Sequence, residues 1–120
     1  MTNDSIIEKW LNASKDELLS SIEGRMLDFF VLCNIMGMAS QDAGRLFPSS
    51  RSSDSRLVFL YAIKNIGSIT IEYSEKSVDE GIKAKQLSKS RYQSAWKVHS
   101  GVHVGYGYSF EYALLKMVIS

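Results

Sequence analysis

Apolar residues recur every three or four positions through the first third of the chain. Ile6, Ile7, Trp10 and Leu11 form one such stripe, with Asn3, Asp4 or Ser5 placed to cap it. Ser14 and Glu17 have capping-box spacing: the hydroxyl accepts from a first-turn amide and the carboxylate reaches back to the cap. Leu18, Ile22, Met26, Phe29, Phe30, Cys33 and Met36 continue the helical period behind that box. Gly24 interrupts the run and bends or divides it, and Gly37 marks its end. A shorter helix is expected between Met38 and Phe47, capped by Ser40, with Ala43, Leu46 and Phe47 facing inward. Pro48 stops it, because the residue before a proline is pushed out of the α region.

The polar stretch PSSRSSDSR then reads as a loop. Ser52, Ser53 or Asp54 caps a further helix bearing Leu57, Val58, Leu60, Tyr61, Ile63 and Lys64, closed by Asn65-Ile66-Gly67. Ser68–Tyr73 alternates and is β-branched, which predicts a half-buried strand. Residues 77–90 read as a polar helix with only Val78, Ile82 and Leu87 as anchors. Beyond it, Ala95–Ser100 and Val102–Tyr108 read as two strands joined at Ser100-Gly101, and Phe110–Ile119 as a closing helix. The order predicts an α+β fold over residues 1–120. Its N-terminal helices pack on a small antiparallel sheet in a winged-helix-like arrangement, with a C-terminal helix.

Composition narrows the class. At 120 residues, of which 45% are hydrophobic, the chain can bury one core, and it lacks the polarity of a disordered segment. No apolar run reaches a bilayer's width, and the opening MTNDSIIEKW lacks the form of a secretory signal. Cys33 is the single cysteine, so no internal disulfide can form. The expectation is a cytoplasmic protein without membrane contact. Its formal charge of +1 conceals an asymmetry. Residues 1–44 hold seven acidic against three basic side chains, and residues 45–120 hold six against eleven. Between Gly81 and Phe110 there are Lys83, Lys85, Lys89, Arg91 and Lys97 and no acid, a run that raises local anion concentration.

Few residues suggest catalysis. His99 and His103 are four apart, but no third or fourth ligand accompanies them, and Cys33 lies on an apolar stripe where thiols fill space. Gly101, Gly105 and Gly107 lack the spacing of a dinucleotide fingerprint and the lysine of a phosphate loop. Glycines of this kind inside a hairpin mark bulges or close backbone approach. Asp79 with Glu80, or Glu72 with Glu75, could form a carboxylate pair, but they lie in charged segments expected to be exposed, without the burial that a general acid needs. The expectation is a non-enzymatic protein with no catalytic residue, metal or cofactor.

Two constellations suggest binding instead. The order long helix, short helix, polar turn, apolar helix, strand is that of helix-turn-helix domains, although the connection before the third helix is longer than usual. Arg51, Ser53 and Arg56 would meet DNA at the start of that helix, with Lys83, Lys85, Lys89, Arg91 and Lys97 on phosphates. Basic residues interleaved with aromatics around Arg91–His99 also suit single-stranded nucleic acid. The alternative is a small inhibitor or immunity-type protein that masks a partner enzyme through Trp96, Tyr106 and Tyr108. Homodimerisation is compatible with both.

Overall fold

Ser14 and Glu17 close the capping box that their spacing predicts. The Glu17 amide donates to Ser14 Oγ at 3.2 Å and the Ser14 amide to Glu17 Oε1 at 3.4 Å. The computed structural model describes residues 3–120. Its helices are α1 (Asn3–Leu11), α2 (Lys15–Leu19), α3 (Gly24–Phe29), α4 (Ser40–Ala43), α5 (Ser52–Asn65), α6 (Lys76–Lys83) and α7 (Phe110–Ile119). A π-helical segment, Phe30–Ile35, continues α3. The strands β1 (Thr70–Ser74), β2 (Ala95–Ser100) and β3 (His103–Gly107) form an antiparallel sheet in the order β1-β2-β3. The fold is therefore α+β, with N-terminal helices, a small sheet and a C-terminal helix.

α7 carries the core. Leu114, Leu115, Met117, Val118 and Ile119 are buried together with Leu18, Leu27, Val31, Val58, Ala62 and Val98. Two glycines let its backbone lie directly on β3. A Cβ at Gly105 would collide with the Ala113 carbonyl oxygen and the Met117 amide nitrogen, and one at Gly107 would lie 2.6 Å from the Ala113 amide nitrogen. Because side chains alternate along a strand, Tyr106 points the other way, toward α6. There a Cβ on Gly81 would meet the Cβ of Tyr106 at 3.0 Å, so α6 also sits close. The sheet is thus covered by α7 on one face and α6 on the other.

The two sheet edges differ. Gln86 Nε2 donates to the Val104 carbonyl at 3.0 Å, and the Tyr106 amide donates to Gln86 Oε1 at 2.8 Å. One side chain thereby takes the place of a fourth strand along β3. β1 has no such cover, and Ile71 and Tyr73 are 43% and 59% exposed. The alternation of Ser68–Tyr73 predicts one buried face, but this strand is an edge whose apolar residues stay in solvent.

A second, smaller cluster of Phe29, Leu32 and Ala43 is covered by Ile7, Trp10 and Leu11 from α1 and by Cys33, Met36, Met38 and Leu46. The π-helical segment serves both clusters, since consecutive Val31 and Leu32 are buried in different ones. Asp28, fully buried, ties α3 to the following loop. It accepts from the Ser49 amide at 2.8 Å, Ser49 Oγ at 3.0 Å and Arg25 at 2.8 Å, and Arg25 donates to the Leu46 carbonyl at 2.6 Å. Burial pushes the Asp28 carboxyl up, against these hydrogen bonds, which pull it down. Asp28→Ala is expected to cost about 3 kcal/mol in urea unfolding, because it strands Arg25 and the Ser49 amide.

Several local expectations are corrected. Asp4 and Ser5 lie inside α1 rather than capping it. The long helical run is broken at residues 20–23, where Ile22 is 86% exposed, and Gly24 opens α3. Ala39, not Ser40, precedes α4, which is only four residues long, and Arg51 precedes α5 without a side-chain cap. α6 ends at Lys83, Lys85 takes φ 60°, and residues 84–94 form a loop rather than more helix. The hairpin turns at Gly101-Val102, with Gly101 at φ 59°, one residue later than the sequence suggests. Among the described residues no helix is long and apolar enough to cross a membrane.

Candidate functional site

The residues expected to read DNA are accessible but flank an apolar surface. Arg51, Ser53 and Arg56 are exposed at the start of α5, with the Arg51 guanidinium 4.3 Å from the Phe47 ring centre. Along the same helix Leu57, Leu60 and Ile63 are 43%, 52% and 45% exposed. α5 packs against α7, whereas α6, which carries Lys83, packs on the opposite face of the sheet. The fold does not bring the two sets of cations together.

Lys97 is not free for phosphate. Its Nζ lies 2.9 Å from Glu80 and 4.0 Å from Glu72, and Tyr106 donates to the same Glu80 oxygen at 3.1 Å. Glu80 holds the Lys97 amine above its usual value, and Lys97 holds the Glu80 carboxyl below its own. Tyr106 is 6% exposed, so it belongs to the interior rather than to a binding surface. Trp96 lies on the other face of the sheet, half-buried between Tyr73 at 4.8 Å and Phe110 at 5.8 Å. Tyr108 donates to the Ser88 carbonyl at 2.6 Å. The three aromatics of the protein-binding alternative therefore share no surface. His99 and His103 diverge too: His99 bonds Glu72 at 3.0 Å on the outer face, while His103 pairs with Ser100 in the next register position. Among the described residues no cluster of three or more metal-ligating side chains exists.

What the structure does assemble is a pocket beside the loop that follows α6, with Lys89 of that loop in its lining. Lys83, Lys85, Lys89 and Arg91 are exposed, and none pairs with a carboxylate among the described residues. The Arg91 guanidinium sits 5.5 Å from the Tyr92 ring centre, and Tyr92 stacks at 5.4 Å on Tyr108. Between this loop, the end of β3, α7 and the 21–22 turn lies a pocket of about 440 Å³. Comparison with known proteins matches nothing: no family profile, curated protein or solved structure is similar to this chain. The reading of the site therefore rests on its geometry.

That geometry follows from three local features. Ser109 caps α7 by accepting from the Tyr112 amide at 3.2 Å, so the helix starts immediately after β3. Tyr112 and Lys116, one turn apart, then line the pocket together. Gln86, fixed on the edge of β3, holds the 86–92 loop alongside. Lys116 is 2% exposed, and its Nζ donates to the Gln86 carbonyl at 2.7 Å. With no carboxylate beside it, burial lowers this amine to about 8. Tyr112 donates to the Ile22 carbonyl at 3.2 Å, and burial raises its phenol. Lys116 and Gln86 shape this pocket, and neither is singled out by the sequence patterns. Lys116 left a signal, as the one charge in the run Tyr112–Ile119; Gln86, whose partners are about twenty residues away, left none.

Proposed function

We propose that the domain is a non-enzymatic, cytoplasmic nucleic-acid-binding protein that holds single-stranded segments along Lys83, Lys85, Lys89 and Arg91. The observation that carries this reading is the set of four exposed, unpaired cations beside a stacked tyrosine pair whose outer ring, Tyr92, is 53% exposed. Phosphates give affinity through the cations, and a base finds a π-face on Tyr92. Arg51, Ser53 and Arg56 remain a separate exposed set on α5, suited to backbone phosphates. Fluorescence anisotropy with labelled single-stranded and duplex oligonucleotides tests it. With four phosphate contacts and about 0.7 counterion released per contact, single-strand affinity should fall roughly 50-fold between ~50 and ~200 mM salt. Exchanging all four cations for Gln should remove most of that affinity, and absence of binding at 50 mM salt would sink the proposal.

A second reading is favoured by the apolar residues left in solvent. Leu57, Leu60 and Ile63 on α5 suit a protein partner, in place of Trp96, Tyr106 and Tyr108, and Ile71 and Tyr73 on β1 are a second exposed apolar set. On this reading Leu57→Asp with Leu60→Asp abolishes binding of the partner and leaves oligonucleotide affinity unchanged.

A further inference from the structure

Lys116 is a buried cation without a counter-ion. An ammonium has three N–H donors, and among the described residues the acceptor it reaches is the Gln86 carbonyl at 2.7 Å. Burying such a group is unfavourable unless charge or hydrogen bonds compensate it. It lines the pocket of about 440 Å³ beside the 86–92 loop, a volume in the range of small-ligand sites. No carboxylate lines this pocket, and Lys89 adds a second cation at its exposed side. The other walls are largely apolar. Tyr108 and Tyr112 have already committed their hydroxyls to the Ser88 and Ile22 carbonyls, so they offer mainly ring surface, as does Tyr92.

We propose that this pocket binds a small organic acid, a carboxylate carried on an aryl-sized apolar body, with the carboxylate on Lys116 Nζ and the body among the rings of Tyr92, Tyr108 and Tyr112. Lys116 supplies the charge for the carboxylate, and the rings of Tyr92, Tyr108 and Tyr112 with Ile22 and Leu87 supply apolar surface that an aryl body covers and a free phosphate does not. Lys89 and the hydroxyls of Ser21, Ser88, Ser90 and Ser109 also line the pocket. Lys116 itself is only 2% exposed, and a charged hydrogen bond made at so desolvated a group is strengthened. Gln86 links the site to the fold, because the residue whose carbonyl orients Lys116 also seals β3 through its side chain. The inference does not depend on nucleic-acid binding, which uses the exposed loop cations.

The test is an NMR titration of the full chain with benzoate, phenylacetate and 3-phenylpropanoate, each against its primary amide. Saturable shifts are expected around Lys116, Tyr108 and Tyr112, with each acid that binds at least ~10-fold tighter than its amide, the weight of one charged hydrogen bond. Acid affinity should fall about tenfold per unit above pH 8, as the Lys116 amine loses its proton. In Lys116→Met, with folding confirmed by circular dichroism, both the preference for acids and this pH dependence should vanish. Equal binding of acid and amide by the unmodified chain would overturn the proposal. So would full acid affinity in folded Lys116→Met, no saturable shift with any of the three acids, or displacement of them by inorganic phosphate. Oligonucleotide binding measured beside it reports on the loop alone, so either reading can fail without the other.

Discussion

Gly105→Ala is expected to be severely destabilising. The added methyl would meet the Ala113 carbonyl and the Met117 amide, both backbone atoms of α7 that no rotamer change can move. α7 would have to lift from the sheet, and it supplies Leu114, Leu115, Met117, Val118 and Ile119 to the core. Ordinary overpacking costs about 1–3 kcal/mol when side chains can adjust; here they cannot, and a loss above ~4 kcal/mol is expected from a total of roughly 5–15 kcal/mol. Urea unfolding followed by far-UV circular dichroism measures it. Gly101→Ala is the matched control. It sits at φ 59° with nothing within 4 Å of the added carbon, so only the backbone penalty of about 1 kcal/mol applies. Similar losses in the two variants would refute the close approach of α7 to β3.

Lys116→Met should stabilise the protein near neutral pH. The Lys116 amine falls from 10.5 to about 8 on folding, so carrying its proton at pH 7 costs roughly 3 kcal/mol. Methionine removes that cost and leaves the Gln86 carbonyl without its donor, which returns about 1–2 kcal/mol. A net gain of about 1–2 kcal/mol, several degrees in Tm, is expected. The pH dependence carries a definite sign. Between pH 8 and 10.5 the unfolded chain binds more protons at this lysine than the folded one, so stability from this group rises with pH across the window. Tyr106 and Tyr112 have raised phenols and act in the opposite direction above pH 10. The informative quantity is therefore the difference between wild type and Lys116→Met, which should shrink from pH 8 upward. A difference independent of pH would show that Lys116 is solvated.

Local chemistry explains which parts of this architecture were legible. The Ser14–Glu17 box and the limits of β2 and α7 all follow from residues within a few positions of one another. What sequence reasoning could not reach depends on distant partners. The alternation around Ile71 marks a strand, but that this strand lies at the sheet's edge, with Ile71 and Tyr73 43% and 59% exposed, depends on what packs beside it. The absence of acids from Gly81–Phe110 suggests a free Lys97, but Glu80 lies immediately before that stretch and holds it, together with the Tyr106 hydroxyl. The glycines of β3 mark points of close approach in the sequence alone; that α7 is what approaches them emerges only from the packing. The pocket draws on residues from Ser21 to Lys116, a span over which no spacing rule operates.

The unequal treatment of the two sheet edges has a consequence for assembly. Gln86 occupies the hydrogen-bonding groups of β3 that another strand would need, so the sheet can lengthen in one direction only, from β1. Two copies joined through β1 would form a continuous six-stranded sheet with a Gln86 seal at each end. Such a pair is self-limiting. A fold that leaves one edge open and stops the other can pair without being able to polymerise.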